Sequence, residues 1–207
     1  EELVLVSSTG VIGKPLPVGK IAAVIPALKN KIRPDGVMDF ARAIMTTDTE
    51  PKAVSRRVSA SSGDFTITAV AKGAGMIRPD LATMLCYVMT DVAGPAAVLH
   101  QILVDASDRS FNRISIDGDT STNDTVLILA NGLSGVQLED PANRALFQQA
   151  LNDVTRTLAK WLVKDGEGAT KLVEITVKGA ASDTDAFRIA DTVAHSNLVK
   201  TALFGED

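Results

Sequence analysis

Aromatic residues and cysteine are scarce in this chain. Only 4% of its 207 residues are aromatic, with one tryptophan, one tyrosine and six phenylalanines. The core must therefore be packed mainly from Val, Ile, Leu, Ala and Met. The single cysteine, Cys86, excludes an internal disulfide framework and is typical of a reducing compartment. We therefore expect a cytoplasmic protein in which Cys86 is a core residue.

The chain also lacks a concentration of basic charge and any long apolar run. Its net charge of −4 gives no basic footprint for nucleic acid. No cluster of Lys and Arg indicates binding to a membrane surface, and no apolar run reaches the roughly 20 residues of a membrane-spanning helix. The sequence starts in a strand-like run and stops just after an apolar triplet. We therefore expect both ends to be cuts through a larger protein.

Familiar metal and phosphate motifs are missing as well. Two histidines, His100 and His195, and one cysteine are too few for a zinc cluster, so each histidine is assigned a structural or surface role. In "GKPLPVGK", five residues separate the glycines and isoleucine follows the final lysine, which does not fit a P-loop. The run "DGDTSTND" has Thr122 and Ile128 where an EF-hand needs glycine and glutamate. We expect no metal site, and a turn or polar loop near an active site at 117–124.

Hydrophobic periodicity predicts a mixed α/β protein. The longest helical pattern, residues 140–168, repeats apolar side chains at helical spacing and is ended by Gly166. Because strands and helices do not alternate strictly, we expect an α/β or α+β layered sandwich, with central sheets flanked by helices. The other predicted elements are strands at 3–6, 64–73 and 169–179, a strand pair at 111–119 and 123–132, and helices at 34–48, 94–107 and 182–202.

Thr83 lies at the head of an apolar stretch in "KGAGMIRPDLATMLCYVMTD", residues 72–91. One interpretation is a helix-start residue that caps its own backbone. The other is a nucleophile, although a threonine hydroxyl is weak and needs a base within hydrogen-bond reach. Cutting the peptide bond before the threonine supplies that base, because the α-amine so freed can take the hydroxyl proton. The residues alone leave both interpretations open.

The chain resembles the ornithine acetyltransferase family, also called glutamate N-acetyltransferase. The resemblance covers essentially the whole chain in family order and implies the layered fold of that family. It is carried by "SSTGVIG" (7–13), "AIMTTDTEPK" (43–52), "AKGAGMIRPDLATML" (71–85), "SFNRISIDGDTSTNDT" (110–125), "DGEGATK" (165–171) and "SNLVKTALFGED" (196–207).

The resemblance implies an acyltransferase of arginine biosynthesis that cuts itself between Ala82 and Thr83. Residues 1–82 would then end an α subunit and residues 83–207 begin a β subunit. Thr83 would carry an acetyl group from N2-acetylornithine to glutamate in a ping-pong exchange. No cofactor is expected, although some members also accept acetyl-CoA as donor. The family suggests a heterotetramer of two α and two β subunits.

Five further residues take site roles from the resemblance. Thr9 and Gly10 match the oxyanion hole, where a hydroxyl and a backbone N–H suit a developing negative charge. Thr46, preferred over its neighbour Thr47, and Lys72 match substrate-contact positions. Glu167 also matches one, and its carboxylate would hold the ammonium group of ornithine.

Two departures from the family leave alternatives open. Family members extend beyond both ends of this chain, and their last substrate contacts, an asparagine and a Ser or Thr, lie in the C-terminal part outside it. The sequence also runs unbroken through Ala82 and Thr83, so it is an uncut precursor or two joined subunits. The alternatives are a self-processing threonine amidohydrolase or aminopeptidase, with water as acceptor, and an inactive truncated fragment.

Overall fold

A four-stranded sheet forms the centre of the fold. In the computed structural model, which describes residues 4–77 and 84–206, the strands are β1 (Lys52–Ala60), β2 (Gly63–Lys72), β3 (Leu85–Thr90) and β4 (Thr125–Ala130). They lie in the order β1-β2-β3-β4. The first three strands are antiparallel, whereas β4 is parallel to β3 and pairs Thr125 with Leu85.

Helices cover both faces of the sheet. The longest helix packs on β1 and β2, and its Phe147 ring lies 5.6 Å from that of Phe65. On the opposite face, Phe40 meets Tyr87 edge-on at 5.0 Å. None of the helices in the described ranges has the length and apolar character to cross a membrane. The helices are α1 (Val18–Lys29), α2 (Val37–Ala43), α3 (Ala96–Asp108), α4 (Pro141–Lys164), α5 (Asp183–Ala194) and α6 (Asn197–Gly205), with a 3-10 turn at Phe111–Arg113.

Sequence pattern explains the two best-packed elements. In β2 every second residue faces α4, because side chains alternate along a strand. Helix α4 starts where the Asp140 carboxylate accepts the N–H groups of Ala142 and Asn143, with Pro141 in the first turn. The core that results contains Phe65, Ile67, Ala69 and Ala71 from β2, Cys86 and Val88 from β3, and Phe147, Leu151, Val154, Leu158 and Leu162 from α4.

Several sequence predictions are confirmed. The mixed α/β class is correct, and so are the strand at 64–73, β4 within 123–132 and the helices at 34–48, 94–107 and 140–168, although α2 is shorter than its predicted range. Ser182 caps α5, as its spacing from Asp185 indicates. Cys86 is fully buried, as expected, and burial raises the pKa of its thiol to about 12.

Other predictions are wrong because strand pairing and helix ends depend on the tertiary structure. Residues 4–6 and 169–179 form no strand, because neither segment pairs with another described strand. Residues 111–119 hold a 3-10 turn instead of a strand, and β4 takes β3 as its partner. The helix expected at 182–202 is broken at His195 and Ser196, where Ser196 caps the start of α6.

The sequence did not predict α1, β1 or β3. Helix α1 buries none of its residues within this chain, so its apolar side chains show no inward-facing stripe. Strand β1 is half polar because one side of it is exposed. Residues 85–90 form a strand, which overturns the helix-start interpretation of the apolar stretch after Thr83.

We expect Leu158→Ala to destabilise the protein by about 2–5 kcal/mol, because Leu158 is fully buried and its removal leaves a cavity under β1 and β2. Leu146→Ala on the same helix is the matched control, since Leu146 is 37% exposed. Urea unfolding of the complete protein measures both. Equal losses for the two variants would contradict this packing.

Candidate active site

Lys72 is a buried cation at the end of β2. Its side chain is 2% exposed, and its Nζ donates to the Thr46 hydroxyl at 2.6 Å. The Asp48 carboxylate lies 3.8 Å away. Burial lowers the pKa of Lys72 below the usual 10.5, against the opposing pull of Asp48 and, more weakly, of Asp124 and Glu167. A negatively charged ligand beside Lys72 would oppose this shift and favour the charged form.

Asp48 organises the surroundings of Lys72. One carboxylate oxygen accepts the backbone N–H of Gly73 at 2.6 Å and the Lys52 ammonium at 2.7 Å. The other oxygen accepts the N–H of Thr46 at 3.2 Å. Burial alone would raise the pKa of Asp48, but these donors hold it below 3.8. Gly73 has φ 149°, a conformation that L side chains rarely adopt, which lets the chain turn onto Asp48 directly after β2.

A second carboxylate completes a buried ion-pair network. Lys52 at the start of β1 is fully buried and contacts Asp165 at 2.5 Å, just beyond the end of α4. Asp165 also accepts the backbone N–H and the hydroxyl of Thr49. The pKa of Asp165 is lowered because the bonds to Lys52 and Thr49 outweigh the opposing effect of burial. The network joins β1, the loop after α2 and the end of α4.

Glu167 lies beside the turn that follows β2. Its backbone N–H donates to the carbonyl of Ala74 at 2.7 Å, which holds the segment after α4 against this turn. A Cβ atom on Gly75 would lie 2.9 Å from Glu167 Oε1, so the carboxylate rests directly on a glycine. The structure thus gathers Thr46, Lys72 and Glu167, three residues that the resemblance named as substrate contacts. Thr46, and not Thr47, contacts Lys72.

The start of the chain approaches β3 and the polar loop. Ser7 hydrogen-bonds to the Tyr87 hydroxyl at 2.5 Å, and Asn123 donates to Ser8 at 3.4 Å. Thr9 and Gly10 follow directly. A Cβ atom on Gly10 would meet nothing closer than 4.0 Å, so packing does not demand glycine there. Their role in an oxyanion hole stays a prediction.

Ala82 and Thr83 lie outside the described residues, and Met84 is the next residue described. The Met84 N–H donates to Asp124 Oδ1 at 2.8 Å. Burial raises the pKa of Asp124 to about 7, although this hydrogen bond and the charge of Lys72 oppose the shift. Its Oδ2 is buried and has no hydrogen-bond partner among the residues that the structure describes. Asp124 therefore binds the backbone of the residue that directly follows Thr83 in the sequence.

Sequence reasoning assigned no role to Asp48, Lys52, Asp124 or Asp165. All four lie inside segments that carry the family resemblance, which is the one signal that pointed to them. The histidines keep the structural or surface roles predicted for them: His100 is exposed, and His195 contacts Ser115 and Asp191. In the described ranges, no three His, Cys, Asp or Glu side chains are grouped to hold a metal ion.

Comparison with known proteins identifies the family. A crystal structure of arginine biosynthesis bifunctional protein argJ from Bacillus halodurans matches 58% of this chain and 58% of its own, with a TM-score of 0.56 and 44% identity. The two chains share one mixed α/β fold. The sequence model of the ArgJ family matches residues 1–207. This chain belongs to the ArgJ family.

Two curated relatives, both named arginine biosynthesis bifunctional protein ArgJ, match the whole chain. The protein from Symbiobacterium thermophilum is 53% identical over 208 residues, and the match covers 52% of its length. The protein from Geobacter sulfurreducens is 52% identical over 209 residues, with 53% of its length covered. The chain therefore spans about half the length of these relatives.

We expect Lys52→Met to cost about 3–5 kcal/mol in the free energy of unfolding, because it leaves the buried Asp48 and Asp165 carboxylates without their shared cation. The control is Lys160→Met, which removes an exposed pair with Glu174 and should cost less than about 1 kcal/mol. Urea unfolding at neutral pH compares them. A Lys52 variant no less stable than the control would show that the network contributes nothing.

Proposed function

We propose that the complete protein is an acetyltransferase of arginine biosynthesis that transfers the acetyl group of N2-acetylornithine to glutamate. The observation that carries this proposal is the cluster of Lys72, Thr46 and Glu167 within a chain of the ArgJ family. A buried cation beside an exposed carboxylate matches a substrate that has an α-carboxylate and, further along, an ammonium group.

The first step creates the nucleophile. The Thr83 oxygen attacks the carbonyl carbon of Ala82, so the acyl group moves from the Thr83 nitrogen to its oxygen. Water then hydrolyses this ester, which leaves a carboxyl group on Ala82 and a free hydroxyl and α-amine on Thr83. That amine then lies on the same residue as the hydroxyl and serves as its base. Self-cleavage therefore converts a weak nucleophile into a usable one without any other general base.

Transfer proceeds through an acetyl-enzyme. The Thr83 oxygen attacks the acetyl carbonyl, and its proton passes to the α-amine and then to the departing ornithine nitrogen. The Thr9 hydroxyl and the Gly10 N–H stabilise the negative oxygen of the tetrahedral intermediate. The amine of glutamate then attacks acetyl-Thr83, so N-acetylglutamate leaves and the free hydroxyl is restored.

Lys72 and Glu167 orient the substrates. Lys72 forms an ion pair with the α-carboxylate that both amino acids carry. The hydroxyl of Thr46 accepts a hydrogen bond from the Lys72 ammonium and so fixes its direction. Glu167 receives the side-chain ammonium of ornithine. Glutamate has no such ammonium, so Glu167 distinguishes the donor from the acceptor.

The relatives are named bifunctional, which supports acetyl-CoA as a second acetyl donor to glutamate. The same acetyl-Thr83 would form with either donor, so no additional nucleophile is required. The division into subunits at residue 83, the heterotetramer and the cytoplasmic location stay predictions from the family resemblance and from composition.

We expect N-terminal sequencing of the purified complete protein to find a fragment that begins Thr-Met-Leu-Cys. Thr83→Ala should remain uncut and transfer no acetyl group, because it lacks the hydroxyl. Ornithine release from N2-acetylornithine, measured with and without glutamate, distinguishes transfer from hydrolysis. Equal release in both cases would favour a hydrolase, and an uncut wild-type protein would defeat the proposal.

Glu167→Gln should raise the KM for N2-acetylornithine by up to about fivefold, because the amide keeps an acceptor oxygen but loses the negative charge that attracts the ornithine ammonium. The KM for glutamate should not rise, since glutamate carries no side-chain ammonium. Glu174→Gln is the control, because Glu174 is an exposed acid paired with Lys160. Steady-state kinetics with each substrate varied in turn makes the measurement. Parallel changes in both KM values would contradict the assignment of Glu167.

A further inference from the structure

The polar loop between the 3-10 turn and β4 holds the chain on both sides of residues 78–83. We define this loop as residues 116–124, which contain the "DGDTSTND" run and end directly before β4. The loop contacts Met76 and Ile77, which precede residues 78–83, and Met84, which follows them. The loop had no assigned role in the sequence, and the chemistry proposed above does not use it.

The upstream contact restrains an unfavourable backbone. The two oxygens of the Asp117 carboxylate accept the N–H groups of Met76 and Ile77, the latter at 2.9 Å. The Ile116 N–H donates to the Ile77 carbonyl at 2.8 Å. Met76 has φ 56°, a left-handed conformation that costs a non-glycine residue roughly 1 kcal/mol or more. Such a conformation persists only where neighbouring contacts impose it, and Asp117 supplies those contacts.

The downstream contact repeats this arrangement. Asp124 accepts the N–H of Met84 at 2.8 Å, and the neighbouring Thr125 N–H donates to the Met84 carbonyl at 3.1 Å. At each end, therefore, an aspartate carboxylate accepts backbone N–H donation from the clamped chain. The N–H of a residue next to that aspartate donates to a carbonyl of the same chain segment. The Met84 nitrogen belongs to the peptide bond that it shares with residue 83. Fixing this nitrogen therefore fixes the chain at the residue that directly follows the predicted nucleophile.

Asp124 differs from Asp117 in what its second oxygen does. Both Asp117 oxygens accept backbone N–H groups, whereas Asp124 Oδ2 is buried without a partner in the described part of the chain. Leaving a buried acceptor unsatisfied costs about 1–3 kcal/mol, a cost that the hydrogen bond from the Met84 N–H to the other oxygen has to offset. A carboxylate kept at such a cost is consistent with a role in function.

We propose that the 116–124 loop is a clamp that positions the self-cleavage site, with Asp117 fixing the chain before it and Asp124 fixing the residue directly after the nucleophile. Asp124 is a positioning residue, since it acts through the Met84 backbone. The inference rests on the proposed self-cleavage before Thr83. Intramolecular reactions depend steeply on orientation, so loss of one restraint slows cleavage even if the fold survives.

Cell-free synthesis of the complete protein, sampled over time and resolved by electrophoresis, measures the rate of cleavage. Asp124→Ala should slow it by at least about tenfold, because the hydrogen bond that fixes the Met84 N–H is lost. Asp124→Asn keeps an oxygen that can accept the Met84 N–H, so it should stay within about threefold of wild type. Asp91→Ala is the matched control: Asp91 accepts the Thr66 N–H at 2.8 Å, remote from the cleavage site.

The outcomes separate this inference from the proposed function. Wild-type protein that never yields a Thr83 N-terminus defeats the proposed function itself. If wild type is cut and Asp124→Ala is cut equally fast, the clamp alone is overturned. It is also overturned if Asp124→Asn is as slow as Asp124→Ala, or if Asp91→Ala slows cleavage as much. The clamp is supported if Asp124→Ala is cut slowly and Asp124→Asn is cut at nearly the wild-type rate. The melting temperature of Asp124→Ala should then match that of Asp91→Ala, which shows that the slow cleavage does not come from lost stability.

Discussion

The Asp48 carboxylate is the centre on which the candidate site depends. It accepts hydrogen bonds from Gly73, Thr46 and Lys52, and Lys72 approaches it to 3.8 Å. Two buried lysines beside one another would be costly, since removing an ion from water costs several kcal/mol. Asp48 and Asp165 together balance that charge. They also join the end of α4 to the sheet, which places Glu167 at the turn where Lys72 ends β2.

The two buried lysines differ in how closely carboxylates surround them. Lys52 lies 2.7 Å from Asp48 and 2.5 Å from Asp165, whereas Lys72 is 3.8 Å from its nearest carboxylate. The acidic groups are thus already engaged, and Lys72 contacts a neutral hydroxyl at closer range. Its charge is left available for a ligand. Burial then strengthens the attraction, because the surrounding water that would screen it is largely excluded.

The fold was predictable where one face of an element is buried against its neighbour. Helix α4 and strand β2 follow this rule, so their apolar residues recur at the helical and strand periods. Residues 169–179 alternate equally well, but pairing depends on a partner strand that no local pattern specifies. Thr46, Lys72 and Glu167 came from family resemblance. Asp48, Lys52 and Asp165 could not be found, because their network joins Lys52 to a carboxylate 113 positions away through folding alone.

Cys86 offers a practical consequence of the way β3 is buried. Its sulfur is fully enclosed between strand and helix, and burial raises the pKa of the thiol to about 12. Alkylating reagents attack the thiolate, which is scarce at neutral pH for such a group. Across these 207 residues the background of maleimide labelling is therefore low. A cysteine engineered at an exposed position would accept a fluorophore selectively, without first removing the native thiol.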